Sequence, residues 1–184
     1  MKWLMLSLLF ACLIMTPAAM IAAEGGKPRV LIVYYSSSGN TKAAAEKLQA
    51  RTGADVYRLE TVRTYPAEHK ALVDEAKWEL EENDLPALSG TLPDLSSYDL
   101  ILVGGPVWWY TVATPVMQFL AQSDFAGKKT AAFCTHGGGV GQYFSHFQEQ
   151  AKNAVVFEGL PLWGNQVGNA ATDKAIDAWL AKLR

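Results

Sequence analysis

The chain has 184 residues, half of them hydrophobic, and its 16 basic and 18 acidic side chains give a formal net charge of -2. This length suits a single sizeable core rather than two domains. Charged residues make up only 18% and no basic run occurs, which argues against a disordered chain and against a nucleic-acid-binding surface.

Residues 1–23 have the order of a secretory signal peptide. Lys2 supplies the positive start, an uncharged apolar run follows to Met15, and small residues gather before Glu24. We expect cleavage close to Ala23, leaving residues 28–184 as the folded domain, periplasmic or extracellular and without a stable membrane span. A retained membrane anchor stays open as an alternative, because the apolar run is just long enough for one. A lipoprotein signal at Cys12 is a third interpretation, which we rank below the cleaved signal peptide and the retained anchor.

The rest of the chain alternates between strand-like and helix-like stretches. Apolar or alternating runs predict five strands, at residues 29–35, 54–60, 98–103, 130–134 and 154–158. Helices are predicted at residues 41–51, 67–82, from 114 onward, 142–152 and 171–183. We expect Gly104-Gly105-Pro106 to break the third strand, and Thr114 to be the N-cap of the third helix with Pro115 in its first turn. Strict alternation predicts a parallel sheet with helices on both faces, whose ligands bind beyond the carboxyl ends of the strands.

The loop after the first predicted strand has the composition of a phosphate site. It reads Ser36-Ser37-Ser38-Gly39-Asn40-Thr41 and leads straight into a helix. Hydroxyls, successive backbone N–H groups and the positive end of a helix dipole suit a monophosphate. The glycine–lysine–serine of a P-loop and the G-x-G-x-x-G of a dinucleotide fold are both missing. A serine-rich turn with an ordinary helix cap is the structural alternative.

Two further strand-end loops supply aromatic and glycine residues. Residues 104–111 (GGPVWWYT) place three consecutive aromatics after the third strand, so at least one ring should be free to stack on a flat ligand. Residues 135–141 (THGGGVG) hold four glycines in five residues, which permits close approach of a ligand and unusual dihedrals. His136 is a candidate proton donor there, with a loop-stabilising role as the alternative.

Other chemistries find little support in these loops. No acid or base lies between Gly104 and Ser123, so no metal-ligand cluster is predicted there. No G-x-S-x-G elbow occurs, and Cys134 ends a buried strand, where it is more easily explained as packing than as a nucleophile. Cys134 is also the one cysteine left after signal cleavage, so no internal disulfide is expected.

At these loops the sequence resembles the flavodoxin family. The resemblance rests on YYSSSGNTK at 34–42, TYPAEHKALVDEAKWELEENDLPAL at 64–88, GGPVWWYTVATPV at 104–116 and FCTHGGGVGQ at 133–142, in family order. It implies a three-layer α/β sandwich with a five-stranded parallel sheet of order 2-1-3-4-5, and FMN as the cofactor. It assigns the phosphate to Ser36, Ser38, Gly39, Asn40 and Thr41, the flavin ring to Pro106, Val107, Trp108 and Trp109, and the pyrimidine edge to Thr135, His136, Gly137, Gly138 and Gly139. Trp108 is our choice for the stacking ring.

One departure from the family concerns Tyr110. Many flavodoxins have glycine just after the flanking aromatic, where a peptide flip bonds the flavin N5 as the flavin gains one electron. Positive φ is disfavoured at a bulky aromatic, so we expect Tyr110 to avoid it. The loops also lack the acids of typical electron carriers. We therefore expect weak stabilisation of the one-electron-reduced flavin and a shift toward two-electron chemistry.

Two classes of function follow from these features. The leading hypothesis is an exported FMN-dependent redox protein that relays electrons to a partner protein or reduces a small planar acceptor such as a quinone. In the second case it would be a quinone reductase-like oxidoreductase with His136 as its catalytic residue. The alternative is a non-catalytic exported binding module that keeps the fold and has lost the flavin.

Overall fold

The structure, a computed structural model, describes residues 27–183, and the predicted signal segment lies outside them. Its strands are β1 (Val30–Tyr34), β2 (Asp55–Arg58), β3 (Leu100–Trp108), β4 (Thr111–Val112), β5 (Lys129–His136) and β6 (Val155–Trp163). Its helices are α1 (Asn40–Thr52), α2 (His69–Glu82), α3 (Thr114–Gln122), α4 (Tyr143–Gln150) and α5 (Ala170–Lys182). Among these residues, no helix has the length and apolar content needed to cross a bilayer.

The main strands form a parallel sheet of order β2-β1-β3-β5-β6. Because β4 is a two-residue strand paired antiparallel to the end of β3, the five parallel strands follow the predicted order 2-1-3-4-5. Because these strands are parallel, the loops after β1, β3 and β5 leave the same edge of the sheet, and the strand order reverses beside β1. The predicted α/β flavodoxin-like fold is confirmed, with the β3–β4 hairpin as an addition.

Two hydrophobic cores lie on opposite faces of the sheet, since side chains of a strand alternate between faces. Along β1, Leu31 and Val33 belong to one core and Ile32 to the other. The first core includes buried residues of α3 and α4, and α2 packs beside α3. The second core is covered by α1 and α5. This arrangement is the predicted three-layer sandwich.

The third strand runs further than predicted. Gly104-Gly105-Pro106 does not break it, because these residues pair in register with Phe133, Cys134 and Thr135 of β5. Pro106 lies beyond the last paired residue of β1, so its missing N–H removes no hydrogen bond between β1 and β3. A Cβ on Gly104 would stand 2.1 Å from the Phe133 ring, so this glycine serves packing rather than a turn.

Several helix starts and strand ends also differ from the sequence expectation. Ala113, not Thr114, is the N-cap of α3, while Pro115 lies in its first turn as expected. Helix α2 starts at His69 because the Glu68 carboxylate caps it, accepting from two backbone N–H groups at 2.8 and 2.7 Å. Strand β6 continues to Trp163 rather than ending at residue 158, past a register irregularity opposite Ala132.

Candidate functional site

The loop between β1 and α1 exposes a helix N-terminus. Gly39 is the N-cap of α1 and has a φ of 92°, a conformation that glycine adopts without strain. The Ser36 hydroxyl is buried and accepts from the backbone N–H groups of Gly39 and Lys42, each at 3.2 Å. Ser38 is exposed, and Asn40 and Thr41 open the helix, where N–H groups lack intrahelical acceptors. The Ser36 hydroxyl therefore serves the helix start, as in the structural alternative, and the assignment of this loop to a phosphate stays a prediction.

A buried hydrogen bond joins this loop to the end of β5. The hydroxyl oxygens of Thr41 and Thr135 lie 2.8 Å apart. The end of β6 lies nearby, because a Cβ on Gly164 would stand 2.8 Å from the Asn40 side-chain nitrogen and 3.6 Å from the His136 carbonyl oxygen. The first and third predicted loops are therefore adjacent in space.

The loop after β3 is a tight hairpin rather than an extended segment. Trp108 pairs with Thr111, which leaves only Trp109 and Tyr110 to reverse the chain. Their φ values are 48° and 61°. Positive φ at both central residues is the geometry that two-residue hairpin loops favour, normally with Asn and Gly. The expectation that Tyr110 avoids positive φ is wrong, because the length of the loop dictates it.

Neighbouring segments hold this strained turn in place. The Trp109 indole N–H donates to the Val73 carbonyl of α2 at 3.0 Å. The Tyr110 carbonyl accepts from the Gln142 N–H at 2.8 Å. Gly141 packs so closely that a Cβ there would stand 2.4 Å from the Tyr110 carbonyl oxygen. The turn is thus fixed from both α2 and the start of α4.

The Trp108 ring lies against two tyrosines and beside an open cleft. Its centroid is 5.6 Å from that of Tyr35 and 5.2 Å from that of Tyr65, both in edge-to-face geometry. Trp108 is half-buried, so it is not sealed beneath other side chains. Burial raises the pKa values of Tyr35 and Tyr65, and both hydroxyls stay protonated at neutral pH.

The glycine loop after β5 forms the opposite side of this cleft. A Cβ on Gly137, Gly138 or Gly139 would meet no protein atom within 4 Å, so a ligand can approach the backbone there. Among the four glycines of the loop, positive φ occurs only at Gly141. The predicted room for a ligand is present, whereas the unusual dihedrals are limited to that one glycine.

The cleft has a volume of about 300 Å³, at the small end of the range for ligand pockets. Its walls are mostly apolar. The predicted residues lining it are Val107, Trp108, Trp109, Gly137, Gly138 and Gly139. Sequence reasoning missed Tyr110 as a lining residue and the α2 wall, formed by His69, Leu72, Val73 and Ala76. A signal for this wall is present in the sequence, because Leu72 and Ala76 stand four residues apart in the predicted second helix and so share one face.

His136 and Trp163 form a ring pair to one side of this cleft. Their centroids are 4.7 Å apart, and Trp163 at the end of β6 is a neighbour that the sequence reasoning missed. His136 is not among the residues lining the cleft. Its Nδ1 is buried and has no hydrogen-bond partner within residues 27–183, and burial lowers its pKa. Pro106 and Thr135 are paired within the sheet behind the cleft and also do not line it.

Charged and nucleophilic groups are sparse around the site. No cluster of three or more His, Cys, Asp or Glu within residues 27–183 could hold a metal ion. Cys134 lies inside β5, as expected, and burial raises the pKa of its thiol to about 12, so it is not a ready nucleophile. Glu79 is a buried acid that reaches this region from α2 and that sequence reasoning did not single out.

Comparison with known proteins gives consistent results. Residues 29–183 match a family model described as Flavodoxin. The NAD(P)H dehydrogenase (quinone) of Cupriavidus metallidurans is 30% identical over 147 residues, which span 72% of this chain and 71% of that protein. The protein of the same name from Paraburkholderia phymatum is 31% identical over 147 residues, with the same coverage. The crystal structure of a flavoprotein in complex with FMN from Lactobacillus acidophilus NCFM has a TM-score of 0.67 and 32% identity, covering 77% of this chain and 97% of that chain.

Proposed function

The chain belongs to the flavodoxin family, and from that premise we propose that it is an FMN-dependent redox protein that passes electrons to a small planar acceptor of the quinone type. The observation that carries this proposal is the convergence of three strand-end segments. The Thr41–Thr135 hydrogen bond joins the first segment to the third. The cleft joins the second to the third through Trp108 and the glycine loop.

The chemical groups at these segments support the assignment of FMN. The N-terminus of α1 offers N–H donors and a positive dipole to the phosphate. The open backbone at Gly137–Gly139 offers hydrogen-bonding groups to the edge of a heterocycle, and no side chain blocks the approach. Trp108 offers a ring at the wall of a mostly apolar cleft. A flat ligand with a phosphate tail matches this distribution of groups.

Each group then has a task in the proposed reaction. Two-electron exchange is the chemistry that bound FMN supplies, with hydride taken from a reduced nicotinamide and, together with one solvent proton, delivered to a quinone that leaves as hydroquinone. Trp108 and the glycine loop orient the ring, while the apolar walls exclude water from it. His136 does not line the cleft, and burial lowers its pKa and so favours its neutral form; its role as a proton donor stays a prediction.

The quinone-type acceptor is the finer part of the proposal. Both relatives described above are named NAD(P)H dehydrogenase (quinone). Tyr110 is 67% exposed and Trp109 46% exposed at the rim of the cleft, where they can meet a planar molecule or a partner protein. A carrier that relays electrons to a partner protein is the second candidate within the same flavin chemistry, and it uses the same rim.

Retention of FMN is the first test. After incubation with FMN and desalting, we expect a yellow protein whose flavin fluorescence is quenched. Trp108→Leu should weaken FMN binding by about tenfold. Removal of an aromatic side chain that stacks on a nucleic-acid base costs about 1–3 kcal/mol of binding free energy, and the flavin ring is a planar heterocycle of similar kind. Trp78→Leu is the matched control: this tryptophan is about half exposed on α2 and does not line the cleft. A colourless desalted wild-type protein would instead support the non-catalytic binding module.

The electron acceptor needs a separate assay. We expect the FMN-loaded protein to oxidise reduced nicotinamide in steady state when a soluble quinone is supplied. Reduction that proceeds only through a partner protein, with no turnover of quinone, would assign the chain to the carriers.

We further propose that the protein acts outside the cytoplasm, on the strength of the charge and apolar order of residues 1–23. The mass of the protein recovered from the periplasm or medium should correspond to a chain that starts near residue 24. Recovery of the full-length chain from the membrane fraction would favour the retained anchor.

A further inference from the structure

Glu79 of α2 is the only charged side chain within residues 27–183 that is buried. Its carboxylate accepts hydrogen bonds from the Arg63 guanidinium and from the hydroxyls of Tyr65 and Thr114. The Tyr65 hydroxyl oxygen lies 2.8 Å from both carboxylate oxygens. A buried carboxylate is tolerated when donors surround it in this way. The group thus ties the segment before α2 to the start of α3.

One of these donors, Tyr65, also contacts the Trp108 ring, which we expect to stack on the flavin. Tyr65 meets Trp108 edge to face, with centroids 5.2 Å apart and an interplanar angle of 72°. Tyr65 also contacts Tyr35, whose ring is itself 5.6 Å from Trp108. The hydroxyl at the far end of the Tyr65 ring is held by Glu79, so that ring is fixed at both ends. Edge-to-face pairs have a preferred geometry, and a fixed Tyr65 therefore restricts the tilt of Trp108.

We propose that Glu79 and Tyr65 are positioning residues for the cofactor: the Glu79 carboxylate holds Tyr65, and Tyr65 holds Trp108 at the angle that the flavin ring requires. This inference rests on the proposed function, because it assumes that the cleft receives FMN. It assigns a role in ligand binding to a buried acid that lines neither the cleft nor the phosphate loop. Trp108 is fixed in advance, so FMN binding does not bear the cost of ordering it.

Thr114 provides a control within the same network. Its hydroxyl donates to the same carboxylate, lies 3.2 Å from the Tyr65 hydroxyl and is fully buried, but the ring contacts of Trp108 are with Tyr35 and Tyr65. Thr114→Val and Tyr65→Phe each remove one hydroxyl from Glu79. Both variants should lose thermal stability, since each leaves the buried carboxylate with one donor fewer. In Thr114→Val the Tyr65 hydroxyl keeps its two shorter contacts to Glu79, so only Tyr65→Phe should release the ring that touches Trp108.

The test measures FMN dissociation constants on the full chain by flavin fluorescence quenching. Tyr65→Phe should weaken binding by about tenfold, the size of a typical coupling between contacting residues. Thr114→Val should leave the dissociation constant within about twofold, the scatter of additive effects. In a Trp108→Leu background, Tyr65→Phe should have almost no further effect. Glu79→Gln, which keeps the shape and one acceptor oxygen, should follow Tyr65→Phe.

Near-UV circular dichroism of the FMN-free variants provides a second readout. Tyr65→Phe should change the tryptophan bands, and Thr114→Val should not. Should Tyr65→Phe lower only the melting temperature and leave FMN affinity intact, the positioning role is wrong while the proposed function stands. An equal loss of affinity in the Trp108→Leu background would show that Tyr65 does not act through Trp108. Failure of the wild-type chain to bind FMN would instead refute the proposed function.

Discussion

Backbone conformation at single residues sets the shape of the cleft rim. Trp109 and Tyr110 both have positive φ, which bulky side chains rarely adopt. Trp109 is held by its indole hydrogen bond to α2, whereas the Tyr110 side chain is mostly exposed and only its backbone is fixed. Burial of the side chain therefore does not offset the backbone strain at Tyr110. The aromatic residue at this position lowers the stability of the folded protein.

Tyr110→Gly should stabilise the FMN-free protein. Glycine adopts positive φ freely, so the free energy of unfolding should rise by about 1 kcal/mol after the larger entropy of unfolded glycine is subtracted. Urea unfolding measures this change. Trp78→Gly, at another exposed aromatic but inside α2, should lower the free energy of unfolding by about 1 kcal/mol. A loss of stability in both variants would contradict the strain at Tyr110.

His136 should make stability depend on pH. Burial lowers its pKa from the ordinary value of 6.5, so the unfolded chain takes up this proton at a higher pH than the folded protein does. The free energy of unfolding should therefore fall as the pH drops below about 6.5, and level off below the folded-state pKa, where both states are protonated. His136→Gln cannot titrate and should show a shallower fall in urea unfolding of the FMN-free protein. An unchanged slope would show that His136 is not the group responsible.

At the scale of elements, the packing of the Phe133 ring of β5 over β3 depends on a glycine inside the strand. Gly104 pairs with Phe133 in register, and the Phe133 ring occupies the space where a Cβ would lie. The same ring belongs to the core covered by α1 and α5. The glycines that suggested a break in the strand are thus a requirement of packing, and they allow β3 to carry Trp108 to the edge of the sheet.

Gly104→Ala should destabilise the protein by about 1–3 kcal/mol, the usual cost of overpacking a core. Gly138→Ala is the matched control, because its Cβ would meet no protein atom within 4 Å and its φ is not positive. Gly138→Ala should leave thermal stability unchanged in the absence of FMN and weaken FMN binding. Equal melting temperatures for Gly104→Ala and wild type would show that the Phe133 ring moves aside freely.

Helix α2 shows what the apolar pattern of a helix predicts about its surroundings and what it does not. Leu72 and Ala76 stand four residues apart and so share one apolar face of this helix. Periodicity does not distinguish a face covered by protein from one that borders a ligand cleft, because both are apolar. Leu72 and Ala76 line the cleft in the structure, so the helix that looked purely structural is part of the candidate site.

At the scale of the whole molecule, ligand binding and folding should be coupled. The three segments that form the site leave one edge of one sheet, so they are assembled only in the folded chain. A free FMN concentration one hundred times the dissociation constant should raise the free energy of unfolding by about 2.7 kcal/mol. Riboflavin, which lacks the phosphate, should stabilise less at equal concentration. Equal stabilisation by FMN and riboflavin would show that the α1 N-terminus does not bind the phosphate.

The charge of the molecule bears on the redox behaviour of the bound flavin. The net charge of -2 is small, and Gly104 to Ser123 carries no acid. Glu79, a buried acid that the fold brings close to this region, is paired with Arg63. The Trp109-Tyr110 turn is also held by neighbouring segments, which opposes a peptide flip there. We therefore expect anaerobic photoreduction to yield fully reduced flavin with little radical. Accumulation of most of the flavin as a stable radical would contradict this expectation.

The alternation of elements along the sequence determined the parallel sheet and the loops that meet at its edge. The strand order came from the resemblance to the family. Buried strands and the existence of each helix have strong local signatures, since β-branched runs, glycine and good helix formers act within a few positions, whereas some helix starts shifted by one or two residues. Tertiary structure decided the rest: the extension of β3 through Gly104-Gly105-Pro106, the positive φ at Tyr110, the α2 wall, and the burial of Glu79 behind Trp108. Each of these depends on a partner distant in sequence, whether a strand, a ring or a donor, and such partners are fixed only by packing.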